Sequence, residues 1–217
     1  DSRCASRSCS AWPTWRWASP GKKSIATKVS KPLRSFAAWR GASADHPVNE
    51  VHHVAGVQFV MLDSMIPAGE GERVDPGLLT QDTLAWLDEQ LAGRAPGERA
   101  LVCLHHPPVE IGIEIMDPIR LTNPEDLAAV LDRHDDVIAV LAGHAHTACT
   151  TSYDAMRRPL PVLIPGGIAS TVTLDAEPFK DITPDLAPTF AVHFVSDDGR
   201  IVTHWRSLDM TPPAAGG

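Results

Sequence analysis

Val137-Ile138-Ala139-Val140-Leu141-Ala142-Gly143-His144-Ala145-His146 is the stretch whose reading decides the fold. Its opening apolar run, residues 137–141, reads as a buried strand that ends where a loop begins. Gly143 lets the backbone turn sharply there without a Cβ penalty. Two histidines separated by one residue follow, and neutral imidazole is a common ligand for Zn, Mn and Fe. In an extended loop, residues i and i+2 point to the same side. His144 and His146 are therefore expected each to face one ion of a metal pair. Upstream, Ala100-Leu101-Val102-Cys103-Leu104 is a second strand-like run, and His105-His106-Pro107-Pro108 follows it directly. Open α/β sheets place their sites at the carboxyl ends of their strands. His105, His144 and His146 are expected to converge at that end as metal ligands. His106 reads either as a contact to substrate phosphate or as a ring hydrogen-bonded to a carbonyl.

Working outward, the remainder alternates strand and helix signals. Gly56 to Leu62 is a strand candidate that ends at Asp63, which reads as structural rather than catalytic. A loop rich in Gly, Pro and acids runs from Pro67 to Gly77. Thr80 is placed to cap a helix whose Leu84, Leu87 and Leu91 recur at helical spacing. Asn123 is expected to cap a second helix, with Pro124 in its first position and Glu125 and Asp126 in its first turn. Short strands are expected near 161–164, 190–195 and 201–205, the last two joined at Asp197-Asp198-Gly199-Arg200, a hairpin signal. His52, His53 and His134 read as surface residues, and His193 and His204 as ordinary sheet residues. Alternating elements argue for an α/β layered domain.

The pair of motifs, His105-His106-Pro107-Pro108 then Gly143-His144-Ala145-His146, resembles the last two metal motifs of the calcineurin-like metallophosphoesterases. The stretch between them, with Gly112-Ile113-Glu114-Ile115-Met116-Asp117 and Leu121-Thr122-Asn123, is similar to the class III cyclic nucleotide phosphodiesterases and their glycerophosphodiesterase relatives. The likeness runs from about Pro47 to about Leu174. It implies a two-sheet sandwich flanked by helices, and a site holding two divalent ions (Fe, Mn or Zn) that activate water against a phosphodiester. The implied substrate is a 3',5'-cyclic nucleotide, cAMP first, with glycerophosphodiesters next. The family's earlier motifs, of the forms D-x-H, G-D and G-N-H-D/E, do not occur before His105. The N-terminal half of the domain is therefore expected to be missing, leaving three histidines without bridging carboxylates and at most one ion. A catalytically incomplete remnant with residual metal binding is the competing reading.

Composition bounds the rest. Residues 1–44 hold nine Lys/Arg and one acid, so the remaining residues carry 10 basic and 26 acidic groups and a net −16. Trp12, Trp15, Trp17 and Trp39 lie in the basic stretch, where no helix or strand period persists. Residues 1–46 read as an atypical basic leader, and 47–210 as the C-terminal portion of the domain. One account of the leader is an arm that stacks single-stranded nucleic acid. The other, favoured by the abrupt change near Pro47, is sequence foreign to the fold, such as an out-of-frame translation. No run reaches the roughly 18 apolar residues of a membrane span. Cys4, Cys9, Cys103 and Cys149 show no C-x-x-C spacing, which fits free thiols in a reducing, cytoplasmic setting. A small phosphodiester is the expected partner, and a homodimer is left open.

Overall fold

The computed structural model of the chain describes residues 47–66, 74–154, 157–174, 182–183 and 186–208. The basic leader expected over 1–46 lies outside the described residues.

Six strands form one sheet: β1 (Glu50–Val54), β2 (Val57–Leu62), β3 (Arg99–Leu104), β4 (Val137–Ala142), β5 (Cys149–Tyr153) and β6 (Leu160–Ile164), in the order β1-β2-β3-β4-β6-β5. The central strands β2, β3, β4 and β6 run parallel, with antiparallel β1 and β5 at the edges. This is why the central strands read as largely apolar runs, since both of their faces are covered. Helices α1 (Gln81–Ala92) and α2 (Pro124–Leu131) make the β2–β3 and β3–β4 crossovers. They pack Leu84, Leu87, Leu91, Leu127 and Leu131 onto Val60, Val102 and Val140 on one face. On the other face Val57, Leu101, Ala139 and Leu163 meet Val195, Ile201 and Trp205. These last residues come from the hairpin of β9 (Thr189–Val195) and β10 (Ile201–Ser207), which forms a second layer. Gly199, at φ +83°, turns that hairpin where the sequence signalled it. A further short pair, β7 (Thr171–Val172) and β8 (Ile182–Thr183), lies between the layers in sequence. The architecture is the α/β sandwich that the resemblance implies.

Two local expectations need correction. Thr80 caps α1 as expected, its Oγ1 accepting from the Thr83 N–H at 3.1 Å. Asn123 precedes α2 but makes no capping bond. Its amide instead pairs with the backbone of Leu79, accepting from the N–H at 3.0 Å and donating to the carbonyl at 2.9 Å. His134 is not a surface residue: its side chain is 11% exposed, and its Nε2 lies 2.7 Å from Asp88 of α1. Asp63 is structural, accepting from the N–H groups of Val48 and Met65.

Candidate metal centre

Strands β3 and β4 are parallel neighbours in register Leu104↔Ala142, so the residues that follow them leave the same end of the sheet side by side. The Gly143 N–H donates to the His105 carbonyl at 3.0 Å and extends that pairing by one step. Beyond it the backbone departs from the extended form. His144 and His146 take φ of 65° and 53°, the left-handed region that non-glycine residues seldom occupy. The sharp turn expected of Gly143 is thus taken by the histidines themselves. Because the loop is not extended, His144 and His146 meet different partners.

His144 turns onto His105, with Nδ1 of the first 3.0 Å from Nε2 of the second. His106 packs against both rings, at centroid distances of 4.7 Å to His105 and 4.6 Å to His144. Ligand atoms of His105, His106 and His144 all lie within 4.8 Å of one another. His146 stands outside that trio, its Nδ1 placed 2.9 Å from the Ser170 hydroxyl and 3.1 Å from the Ser170 carbonyl.

His106 is 1% exposed, and both of its ring nitrogens are engaged. Nε2 lies 3.0 Å from the Asp75 carbonyl, which can only accept, so this nitrogen carries the proton and donates. Nδ1 then accepts from the Ser64 hydroxyl at 2.8 Å. This is the carbonyl-bonded placement rather than one that faces a substrate. Gly77 makes it possible, since a Cβ there would sit 2.3 Å from His106 Nδ1. Sequence reasoning passed over Ser64, Asp75, Gly77 and Ser170. Ser64 was within reach of the strand-end rule, because it lies just past β2 at the end of the sheet where His105 sits.

Burial, reinforced by the neighbouring imidazoles of His106, His144 and His146, pulls His105 down from 6.5 to about 3. Burial and His144 take His106 to about 4, against the opposing pull of its bonds to Asp75 and Ser64. Both rings are neutral at neutral pH, so a proton does not compete with a cation for the lone pair of His105. The spacing also fits a metal. Two nitrogens bound at about 2.0–2.1 Å to one tetrahedral ion stand about 3.3 Å apart, close to the 3.0 Å between His105 and His144. Among the described residues the grouped ligands are histidines alone.

No family model matches the chain. It is 32% identical over 195 residues to the 3',5'-cyclic adenosine monophosphate phosphodiesterase CpdA of Pseudomonas aeruginosa, covering 85% of this chain and 66% of that protein. Over 152 residues it is 33% identical to a protein of Arcobacter nitrofigilis named "Probable glycerophosphodiester phosphodiesterase GpdQ", covering 68% of this chain and 51% of that one. A dimetal phosphatase from Danio rerio shares the fold, with a TM-score of 0.57 and 17% identity over 82% of this chain and 64% of its own. The chain thus spans between about half and two thirds of the length of these relatives. It belongs to the calcineurin-like metallophosphoesterase family, in the branch of the class III cyclic nucleotide phosphodiesterases and their glycerophosphodiesterase relatives.

Proposed function

We propose that this chain carries the histidine side of a phosphodiesterase centre, with 3',5'-cyclic nucleotides, cAMP first, as its substrate class. Glycerophosphodiesters are the alternative, because the similar proteins divide between those two names. The observation that carries the reading is the His105–His144 pair, its facing ring nitrogens 3.0 Å apart, at the carboxyl ends of adjacent parallel strands.

His105, His144 and His146 are the residues that would hold divalent metal, Fe, Mn or Zn by ligand type. When bound, such ions polarise a phosphoryl oxygen and lower the pKa of water. His106 serves from behind: neutral and locked by Ser64 and Asp75, it backs the His105 and His144 rings and fixes their orientation. A donor set of histidines brings no negative charge to offset two close dications. We therefore assign one ion to the chain as written, and slow turnover at best. The free thiols of Cys103 and Cys149 support a reducing, cytoplasmic setting, and no helix among the described residues is long and apolar enough to cross a membrane.

The test is turnover of cAMP and of a chromogenic phosphodiester with added Mn²⁺, for this chain and for one extended with the D-x-H, G-D and G-N-H motifs. Chelator-sensitive turnover from the extended chain, and little from the other, is expected. Strong turnover from the chain as written would overturn the one-ion assignment, and silence from both would overturn the phosphodiesterase reading.

A further inference from the structure

His146 is the one expected ligand that lies outside the histidine trio, and its surroundings are built around a single ring nitrogen. The Ser170 carbonyl stands 3.1 Å from Nδ1, and the Ser170 hydroxyl 2.9 Å from the same atom. A carbonyl oxygen only accepts, so Nδ1 must carry the proton. In a neutral ring that leaves the lone pair on Nε2. The turn bearing Ser170 is shaped for this approach. A Cβ on Gly167 would fall 1.8 Å from the Ser170 carbonyl oxygen and 3.1 Å from His146 Nδ1, so only glycine admits that carbonyl. Two further ties fix the turn to the histidine loop. The Val172 N–H donates to the His146 carbonyl at 3.2 Å, and the Thr147 hydroxyl donates to the Val172 carbonyl at 2.5 Å. Ser170 itself is 8% exposed, so water competes poorly for its hydroxyl.

We propose that Ser170 is a positioning residue for His146: it holds the ring as the Nδ1–H tautomer and so presents the Nε2 lone pair for a metal ion. Gly167 is the residue that lets it do so. The assignment rests on His146 being a ligand, as the functional reading has it. It adds what selects the binding nitrogen, because a free imidazole otherwise prefers to carry its proton on Nε2. Outer partners that orient a ligating histidine typically govern metal affinity by about 10–100-fold.

The experiment uses the whole chain, free of metal and above pH 7.5, with imidazole tautomers read from long-range proton–nitrogen correlation spectra. Zn²⁺ affinity is then measured on the same samples by calorimetry. Ser170→Ala removes the hydroxyl, Gly167→Ala displaces the carbonyl, and Ser170→Thr keeps both. The expected result is an Nδ1–H ring at His146 in the unaltered chain and in Ser170→Thr. Gly167→Ala should drift toward Nε2–H and lose about 10–100-fold in Zn²⁺ affinity, while Ser170→Ala, which keeps the carbonyl acceptor, should keep the Nδ1–H ring and lose less. If Gly167→Ala does not fold, the tautomer of the unaltered chain and the affinity lost in Ser170→Ala decide together. An Nε2–H ring in the unaltered chain, or no change of tautomer and affinity in the variants that fold, overturns the proposal. An unaltered chain that keeps the Nδ1–H ring yet binds no Zn²⁺ would sink the functional reading and uphold the role of Ser170 as holder of the tautomer.

Discussion

A left-handed backbone at His144 and His146 costs of order 1–2 kcal/mol per residue, a cost the loop bears to turn one ring toward His105 and the other toward Ser170. That His105 and His144 meet at one end of the sheet was legible from type and spacing. Their arrangement was not, because i/i+2 reasoning assumes an extended chain and the loop is not extended. The locked placement of His106 was equally hidden, since it depends on Ser64 and on Asp75, partners 42 and 31 residues away. Two predictions belong at this scale. Below pH 6.5 the unfolded chain takes up protons that folded His105 and His106 refuse until about pH 3 and about pH 4. Stability should therefore fall as pH drops, with no such penalty above 6.5, the full penalty reached below those values, and up to about 1.4 kcal/mol per pH unit from each ring between them. Thermal melts of the metal-free chain from pH 7.5 to 4.5 should show this decline, and His105→Asn should flatten it. An identical slope in the variant would contradict the account. The second concerns Gly77, where a Cβ would also come within 2.7 Å of His106 Cβ, on a ring pinned at both nitrogens. Gly77→Ala should cost roughly 1–3 kcal/mol in denaturant titrations. Gly143→Ala, whose Cβ meets nothing nearer than 3.5 Å, should stay within about 0.5 kcal/mol of the original.

At the scale of elements, the signals that worked were those with a single physical cause. Leu84, Leu87 and Leu91 repeat because one stripe of α1 faces the sheet, and all three are buried. The central strands are largely apolar because both of their faces are covered. The edge strands escaped for the converse reason. In β1, His52, His53 and Val54 are exposed, and β5 is largely polar (Cys149-Thr150-Thr151-Ser152-Tyr153), so neither shows an unbroken apolar run. Asn123 shows how one residue type serves two purposes. Its position before Pro124 matched a helix cap, yet its amide satisfies both backbone groups of Leu79, 44 residues earlier. Those groups belong to a residue that is 1% exposed, so water cannot replace the lost partner. Asn123→Ala should therefore cost about 1–3 kcal/mol through unsatisfied backbone, as read by the shift of the urea midpoint at constant slope. An effect of a few tenths of a kcal/mol would mean that this pairing contributes little to the fold.

For the molecule as a whole, charge and topology bear on the same point. The residues beyond 44 carry a net −16, while His105 and His106 at the head of the sheet are neutral at pH 7. An acidic body offers a phosphodiester anion little attraction, so on the proposed reading bound cations would draw the substrate in as well as activate it. Parallel β3 and β4, held from one side by α1 and α2 and from the other by the β9–β10 hairpin, set the spacing at which His105 and His144 meet. The central claim is that this meeting point is a metal site, and calorimetric titration of Zn²⁺ into the chain tests it most directly. The account predicts one Zn²⁺ per chain, with binding lost or weakened at least about tenfold in His144→Ala while the melting temperature of the metal-free variant shows that the fold persists. Absence of binding in the unaltered chain, or binding that His144→Ala leaves unchanged, would contradict it.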